Sequence, residues 1–168
     1  MKYTIKQATA EQVGLLAAIE IAAADIFPPG SIPDHIRSDS TPVEMLLEAV
    51  QEGLLWVALA GDDKPVGYAL VRLTEGFALL AQMDVHPEHM RQGIGAALIA
   101  QVAEQLRLRK KTVLYLTTFT HVPWNAPFYA KQGFVAMNSA DVPAFLKDIL
   151  EEEKDYGLAN RTAMYLEL

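Results

Sequence analysis

Residues 82–106 read QMDVHPEHMRQGIGAALIAQVAEQL, and their reading decides the fold. The strand-like QMDV stops at His86-Pro87. A basic turn then carries Gly93-Ile94-Gly95, after which Ile94, Leu98, Val102 and Leu106 recur every four residues with Ile99 and Ala103 beside them, one apolar helix face. Helix starts leave N–H groups without intrahelical partners and carry partial positive charge, so a glycine turn that allows close approach can hold an anion there, with Arg91 adding charge. No GK[ST] follows the glycines and the spacing is not GxGxxG, so neither a P-loop nor a dinucleotide-binding turn is present. Two glycines serve a tight turn and close helix packing equally well, and their surroundings have to decide between these uses.

Working outward, the stretch before the motif holds three strand-like runs, LLWVALAG, PVGYALVRL and FALLAQMDV. GDDKP (61–65) and TEG (74–76) are the turns of an antiparallel meander. After the motif helix, expected over 93–109, TVLYLTTF (112–119) is nearly continuous in apolar and β-branched residues. That composition predicts an interior strand covered on both faces, completing a parallel crossover. Next come a short helix around PWNAPFYAKQ stopped by Gly133, a strand at FVAM, a helix near PAFLKDILEEEKDYG and a final strand RTAMYLEL.

At the N-terminal end, Tyr3 to Gln7 alternates like a strand, and Thr9 with Gln12 predicts a capping box opening the helical run EQVGLLAAIEIAAADIF. FPPGSIPDHIRSDS (27–40) reads as an exposed loop with a helical turn, the kind of segment that carries specificity. Thr41 then predicts the cap of a second helix, with Pro42 at its first position, ending at Gly53.

The chain has 168 residues, 51% hydrophobic and 21% charged, which predicts one α/β domain, residues 1–168, with three layers and a mixed sheet. A net charge of −7 argues against nucleic acid as a partner and suits a cationic or amine-bearing one. The absence of cysteine excludes disulfides, thiolate zinc sites and cysteine nucleophiles. The N-terminus lacks a signal-peptide core and no apolar run reaches membrane-spanning length, so the expected location is the cytoplasm, away from membrane.

QMDVHPEHMRQGIGAALIAQVAEQL followed by VLYLTTFTHVPWNAPFYAKQGF (113–134) resembles the central and following motifs of the GCN5-related N-acetyltransferase superfamily. In that family Gln/Arg-x-x-Gly-x-Gly/Ala joins the fourth strand to the third helix, and an asparagine, a tyrosine and a terminal Gly-Phe follow. The family's first Gln/Arg falls on Met90 here. The resemblance implies a mostly antiparallel sheet of six or seven strands with helices on both faces and a splayed central parallel pair. It also implies acetyl-CoA as co-substrate, attacked directly by a primary amine, with no metal. The pantetheine arm would pair with the backbone of Met83, Asp84 and Val85, near a splay from the strand at Val113 to Leu116. Pyrophosphate would sit on Arg91, Gln92, Gly93, Ile94, Gly95 and Ala96. Asn125 matches the asparagine beside the cofactor arm, although it also reads as a helix N-cap, and Tyr129 matches the general acid that protonates the leaving sulfur.

The expected acceptor is a small-molecule amine. The alternatives are a protein N-terminus or lysine, or a CoA-binding regulatory domain without turnover. The base is open among Glu75, Asp84, His86, His121 and a water chain. His86 and His89 lack the acidic or cysteine partners of a metal site. RLRKK (107–111) and EEEKD (151–155) read as solvated helix ends and faces, Trp124 and Phe128 as packing residues. The alternation in MYLEL, with the family's habit of pairing, allows a homodimer.

Overall fold

In a computed structural model, residues 2–168 are described, and seven strands form one sheet in the order β1-β2-β3-β4-β5-β7-β6. The meander is as expected: β2 (Leu55–Leu59), β3 (Pro65–Thr74) and β4 (Phe77–Val85) pair antiparallel, with β1 (Thr4–Gln7) on the outer edge. Glu75 and Gly76 close the β3–β4 turn in the left-handed region, at φ of 52° and 84°.

Residue parity puts helices on both faces. Tyr68 reaches Glu20 on α1 (Leu16–Asp25), whereas a Cβ on the preceding Gly67 would stand 3.4 Å from Ile94 on α4 (Ile94–Leu108). α1 and α4 therefore cover opposite faces, and β2 is buried along its whole length. Leu98, Val102 and Leu106 of α4 are fully buried, so the four-residue repeat is its core face. α3 (Val43–Glu52) packs on β2 and β3.

β4 and β5 (Val113–Phe119) are the parallel pair, and their ladder joins Ala78 to Leu114 and Leu79 to Tyr115. Beyond Leu80 they part, so the splay opens from Leu116 onward; Leu114 and Tyr115 themselves are paired. On the other side of β4 the register with β3 slips by one residue at Ala81, a bulge that turns the end of β4 away from β5. Along β5, Leu114, Leu116 and Thr118 are buried, while Val113, Tyr115 and Thr117 are half-buried, because α6 (Ala144–Tyr156) covers the second face incompletely.

Several local expectations are corrected. The run after Thr9 opens as a 3-10 turn, Ala10–Leu15, with Gln12 Oε1 accepting from the Thr9 N–H at 2.9 Å, and turns α-helical only at Leu16. Pro42, not Thr41, is the N-cap of α3; the Thr41 N–H and hydroxyl both donate to Glu20 instead. The segment 27–40 carries the expected helical turn as α2 (Asp34–Arg37), but it is not exposed throughout, because Ile32 is buried with Phe119 and Val122. β7 (Arg161–Glu167) pairs with β5 along its length and with β6 (Val135–Ala136) at Met164 and Tyr165, so the MYLEL alternation begins on a strand with neighbours on both sides. Among the described residues no helix is long and apolar enough to cross a membrane.

Candidate active site

Asp84, the acidic residue of β4 and β5, lies in the part of β4 that has left β5. A cavity of about 390 Å³ opens on the α1 face, between β4, β5, α5 (Ala126–Lys131), β7 and the segment from Phe27 to Met45. Met83, Asp84, Asn125 and Tyr129 line it, joined by Glu20, Thr41 and Arg161. Residue alternation turns Gln82 and Asp84 together toward this face, and Gln82 Nε2 donates to Asp84 Oδ2 at 2.6 Å.

Burial raises the Asp84 carboxyl to about 7; the hydrogen bond from Gln82 and the neighbouring Tyr68 hydroxyl oppose the rise, and the nearby Glu20 charge adds to it. Burial likewise pushes the Tyr129 hydroxyl above its ordinary value, Asp84 adding to the effect and Arg161 opposing it. The Tyr129 ring stands edge-on to Phe128 and Phe134, at centroid distances of 5.2 and 5.7 Å, which fixes the hydroxyl at the cavity wall.

Of the other bases considered, none lines this cavity. Glu75 sits in the turn before β4, at the opposite end of that strand from Asp84. His86 Nδ1 accepts from the Glu88 N–H in the turn after β4, and His121 Nε2 lies 3.1 Å from the Ser31 carbonyl on the outer surface. Among the described residues there is no grouping of three or more acidic, histidine or cysteine side chains arranged for a metal.

The two glycines have different uses. Gly93, at φ +81°, is the left-handed N-cap of α4 and faces open space, and Arg91 is also left-handed at φ +59°. Left-handed residues beside a helix start can aim successive N–H groups to one side, and here they adjoin the N–H groups of Ile94, Gly95 and Ala96, which lack intrahelical partners. Gly95 instead allows contact: a Cβ there would meet Phe128 Cζ at 3.0 Å and Met83 Cε at 3.7 Å, so α4, β4 and α5 converge at this point. The Gln92 amide carbonyl is engaged by the Tyr3 hydroxyl at 2.6 Å.

Asn125 stands at the N-cap position of α5, yet its side chain caps nothing; Oδ1 accepts from Thr118 Oγ1 at 3.0 Å. Trp124 packs beside Phe27, with centroids 5.9 Å apart. The basic run is structural: Arg109 donates to the carbonyls of Glu52 and Gly53 at the end of α3, and Lys111 to that of Gly76. These contacts lie at the end of α4 remote from the glycine turn, too far to meet an anion held there.

EEEKD is not wholly solvated. Glu153 turns inward, accepting from Arg161 Nε at 2.6 Å and from Thr117 Oγ1 at 2.5 Å, and so neutralises the one arginine on the cavity wall. Sequence reading also passed over Glu20, Thr41, Tyr68 and Arg161. Only Glu20 left a signal: a lone carboxylate between apolar residues in LLAAIEIAAA, a helical run otherwise fit for burial.

A sequence model described as an acetyltransferase (GNAT) domain matches residues 51–136, half of the chain, from the end of α3 through β6. Among solved structures, the PaiA N-acetyltransferase of Thermoplasma acidophilum in complex with coenzyme A superposes over 100% of both chains at TM-score 0.75 and 18% identity. A Mycobacterium tuberculosis protein in complex with CoA and NLQ matches over 98% of this chain and 99% of its own, at TM-score 0.72 and 22% identity. The ribosomal-protein-S18-alanine N-acetyltransferase of Escherichia coli matches over 99% and 94%, at TM-score 0.68 and 19% identity. These structures share the fold, and the domain match, the bulged and splayed β4 and the left-handed turn at α4 agree on one conclusion: the chain belongs to the GCN5-related N-acetyltransferase family.

Proposed function

We propose that the chain transfers the acetyl group of acetyl-CoA to a primary amine of a small cationic molecule, with Asp84 as general base and Tyr129 as general acid. One observation carries this reading: Asp84, Asn125 and Tyr129 meet on a single cavity at the point where β4 leaves β5. The residues fit the co-substrate. Past Leu80 the backbone of β4 is not paired to β5, which leaves Met83 to Val85 free to bond the pantetheine arm beside Asn125. The N–H groups from Arg91 to Ala96 suit its pyrophosphate. When bound, acetyl-CoA supplies an activated acyl carbon and a thiolate leaving group.

Asp84 does the first half of the chemistry. Ionised above about pH 7, it accepts a proton from the ammonium form of the substrate and leaves a neutral amine as nucleophile. As the new C–N bond forms and the C–S bond breaks, the electron pair departs on sulfur. The Tyr129 hydroxyl, held protonated by its raised value, donates to that sulfur, and the second proton, shed by the nitrogen as it becomes an amide, restores the hydroxyl. The products are an acetamide and the free thiol.

Two features favour a small cationic acceptor over a protein chain. The segment 27–42 is pinned across the cavity: Arg37 donates to the carbonyls of Ala24, Phe27 and Pro28, and the Tyr156 hydroxyl bonds Asp39. Glu20, Asp39 and Asp84 line the cavity against a single arginine already paired with Glu153. Thermal shift with acetyl-CoA, followed by thiol release against monoamines, diamines, amino acids and a short peptide N-terminus, tests the reading. Stabilisation and fastest release with small cationic amines are expected. Stabilisation without release would identify a regulatory CoA-binding domain, and fastest release with the peptide a protein acetyltransferase.

A further inference from the structure

Tyr68 is fully buried, is the direct β3 partner of Asp84 in the sheet register, and carries one hydroxyl hydrogen. Directly opposed residues hold their Cβ atoms about 5 Å apart on one face, and the Asp84 carboxyl on β4 and the Glu20 carboxyl on α1 both act on that hydroxyl. It donates to Glu20 Oε2 at 3.0 Å. The same oxygen takes the Thr41 N–H at 2.8 Å, and Oε1 takes the Thr41 hydroxyl at 3.3 Å. Glu20 is thereby fixed from two sides, by the segment leading into α3 and by β3.

We propose that Glu20 is a positioning residue for Asp84: by claiming the Tyr68 hydrogen, it leaves Asp84 with Gln82 as its side-chain donor and an oxygen free to take a proton from the acceptor. The inference rests on Asp84 being the base. It adds a residue on α1 that acts on Asp84 through the orientation of one hydroxyl. Without Glu20 the hydroxyl turns to Asp84, and a hydrogen bond to the ionised carboxylate stabilises it and weakens it as a base. Because Thr41 fixes Glu20, the position of the segment over the cavity is coupled to the basicity of Asp84.

The groups facing Asp84 are Glu20 from α1, Tyr68 from β3, Gln82 from β4 and Tyr129 from α5, with Arg161 of β7 on the same cavity. Removing the Glu20 charge also lowers the proton affinity of Asp84. The test must therefore separate charge from orientation, and a double-mutant cycle does so. The readout is the titration of the Asp84 carboxyl carbon by NMR in the full chain, assigned by its loss in Asp84→Asn. It needs neither acetyl-CoA nor an acceptor.

In the wild-type chain the titration midpoint is expected near 7. Glu20→Ala is expected to lower it by about one unit or more, with Tyr68→Phe alone leaving it within a few tenths. In the Glu20→Ala background, Tyr68→Phe is expected to raise the midpoint again by about half a unit, since the diverted hydroxyl is gone. Glu20→Gln keeps an acceptor for the hydroxyl and reports the charge effect alone, so its drop is the smaller. Equal effects of Tyr68→Phe in both backgrounds, or none in either, overturn the proposal. Loss of acetyl transfer from the wild-type chain would overturn the proposed activity while leaving this titration cycle readable. If instead Asp84→Asn retained full transfer and its pH profile, the base assignment and this inference would fall together.

Discussion

The turn at Arg91–Ala96 and the cluster of Glu20, Tyr68 and Asp84 are both polar features at the edge of a buried core, but they are built differently. The turn is local: left-handed Arg91 and Gly93 and the first N–H groups of α4 lie within six positions of sequence. The cluster draws on α1, β3 and β4, and its Glu20–Tyr68 bond spans 48 positions. Local geometry can be specified by residue type, since glycine at positive φ and a helix start make the same concavity wherever they occur. A cluster assembled across the sheet depends on register: one residue of slip would turn Tyr68 and Asp84 to the other face. The turn can therefore serve a co-substrate common to many proteins, while the cluster can be tuned to one acceptor.

Substitutions in the two regions should differ in kind. The largest effect is expected from Asp84→Asn, which should lower kcat/KM about a thousandfold and abolish the acidic limb of the pH profile near 7, in steady-state thiol release. Its stability should move the other way. A carboxyl whose folded value is raised binds more protons folded than unfolded between about pH 4 and 7, so ionisation weakens the fold as pH rises through that window. Asp84→Asn should thus melt above the wild type at pH 8 and no higher at pH 4. An unchanged melting temperature at pH 8 would mean that Asp84 is well solvated.

Tyr129→Phe should lower kcat about a hundredfold with little change in acetyl-CoA affinity, and wild-type turnover in this variant would remove the acid role. Glu153→Gln, which leaves Arg161 half of a largely enclosed pair, should destabilise the fold by about 2 kcal/mol in urea unfolding, discounted for its residual exposure. The smallest effect belongs to the turn. Gly95→Ala forces Phe128 to shift and should weaken acetyl-CoA binding about tenfold by calorimetry, with kcat at saturation nearly unchanged. If it lowered kcat as much as Tyr129→Phe does, the division between a binding turn and a chemical cluster would fail.

The meander, the crossover and the α4 core face were legible because they follow from periodicities of two and 3.6 and from glycine turns. Half of the glycine reading was legible as well: Gly93 is the positive-φ turn, but the contact of Gly95 with Phe128 belongs to α5, 33 positions away in the chain by residue number. Other signals misled because a tertiary partner outcompeted the local one. Thr41 had the residue type of a cap, yet its N–H and hydroxyl turn to the Glu20 carboxylate on α1, and Pro42 takes the cap position of α3. Glu153 sat in a run of charge that normally faces water, and Arg161 draws it inward. Among the four candidate bases, residue type alone could not choose. Position along β4 separates Asp84 from Glu75 by the full length of the strand.

By itself the sequence determined the order of the elements, the glycine turn at the head of α4 and the family to which the chain belongs, all of which depend on spacing within about two dozen residues. The tertiary structure decided that β4 parts from β5 after Leu80, that Asp84 and Tyr129 share one cavity, and that Glu20 comes to lie beside Tyr68. The physical reason is that burial and charge proximity set what a carboxyl can do, and both are properties of neighbours brought together across a sheet.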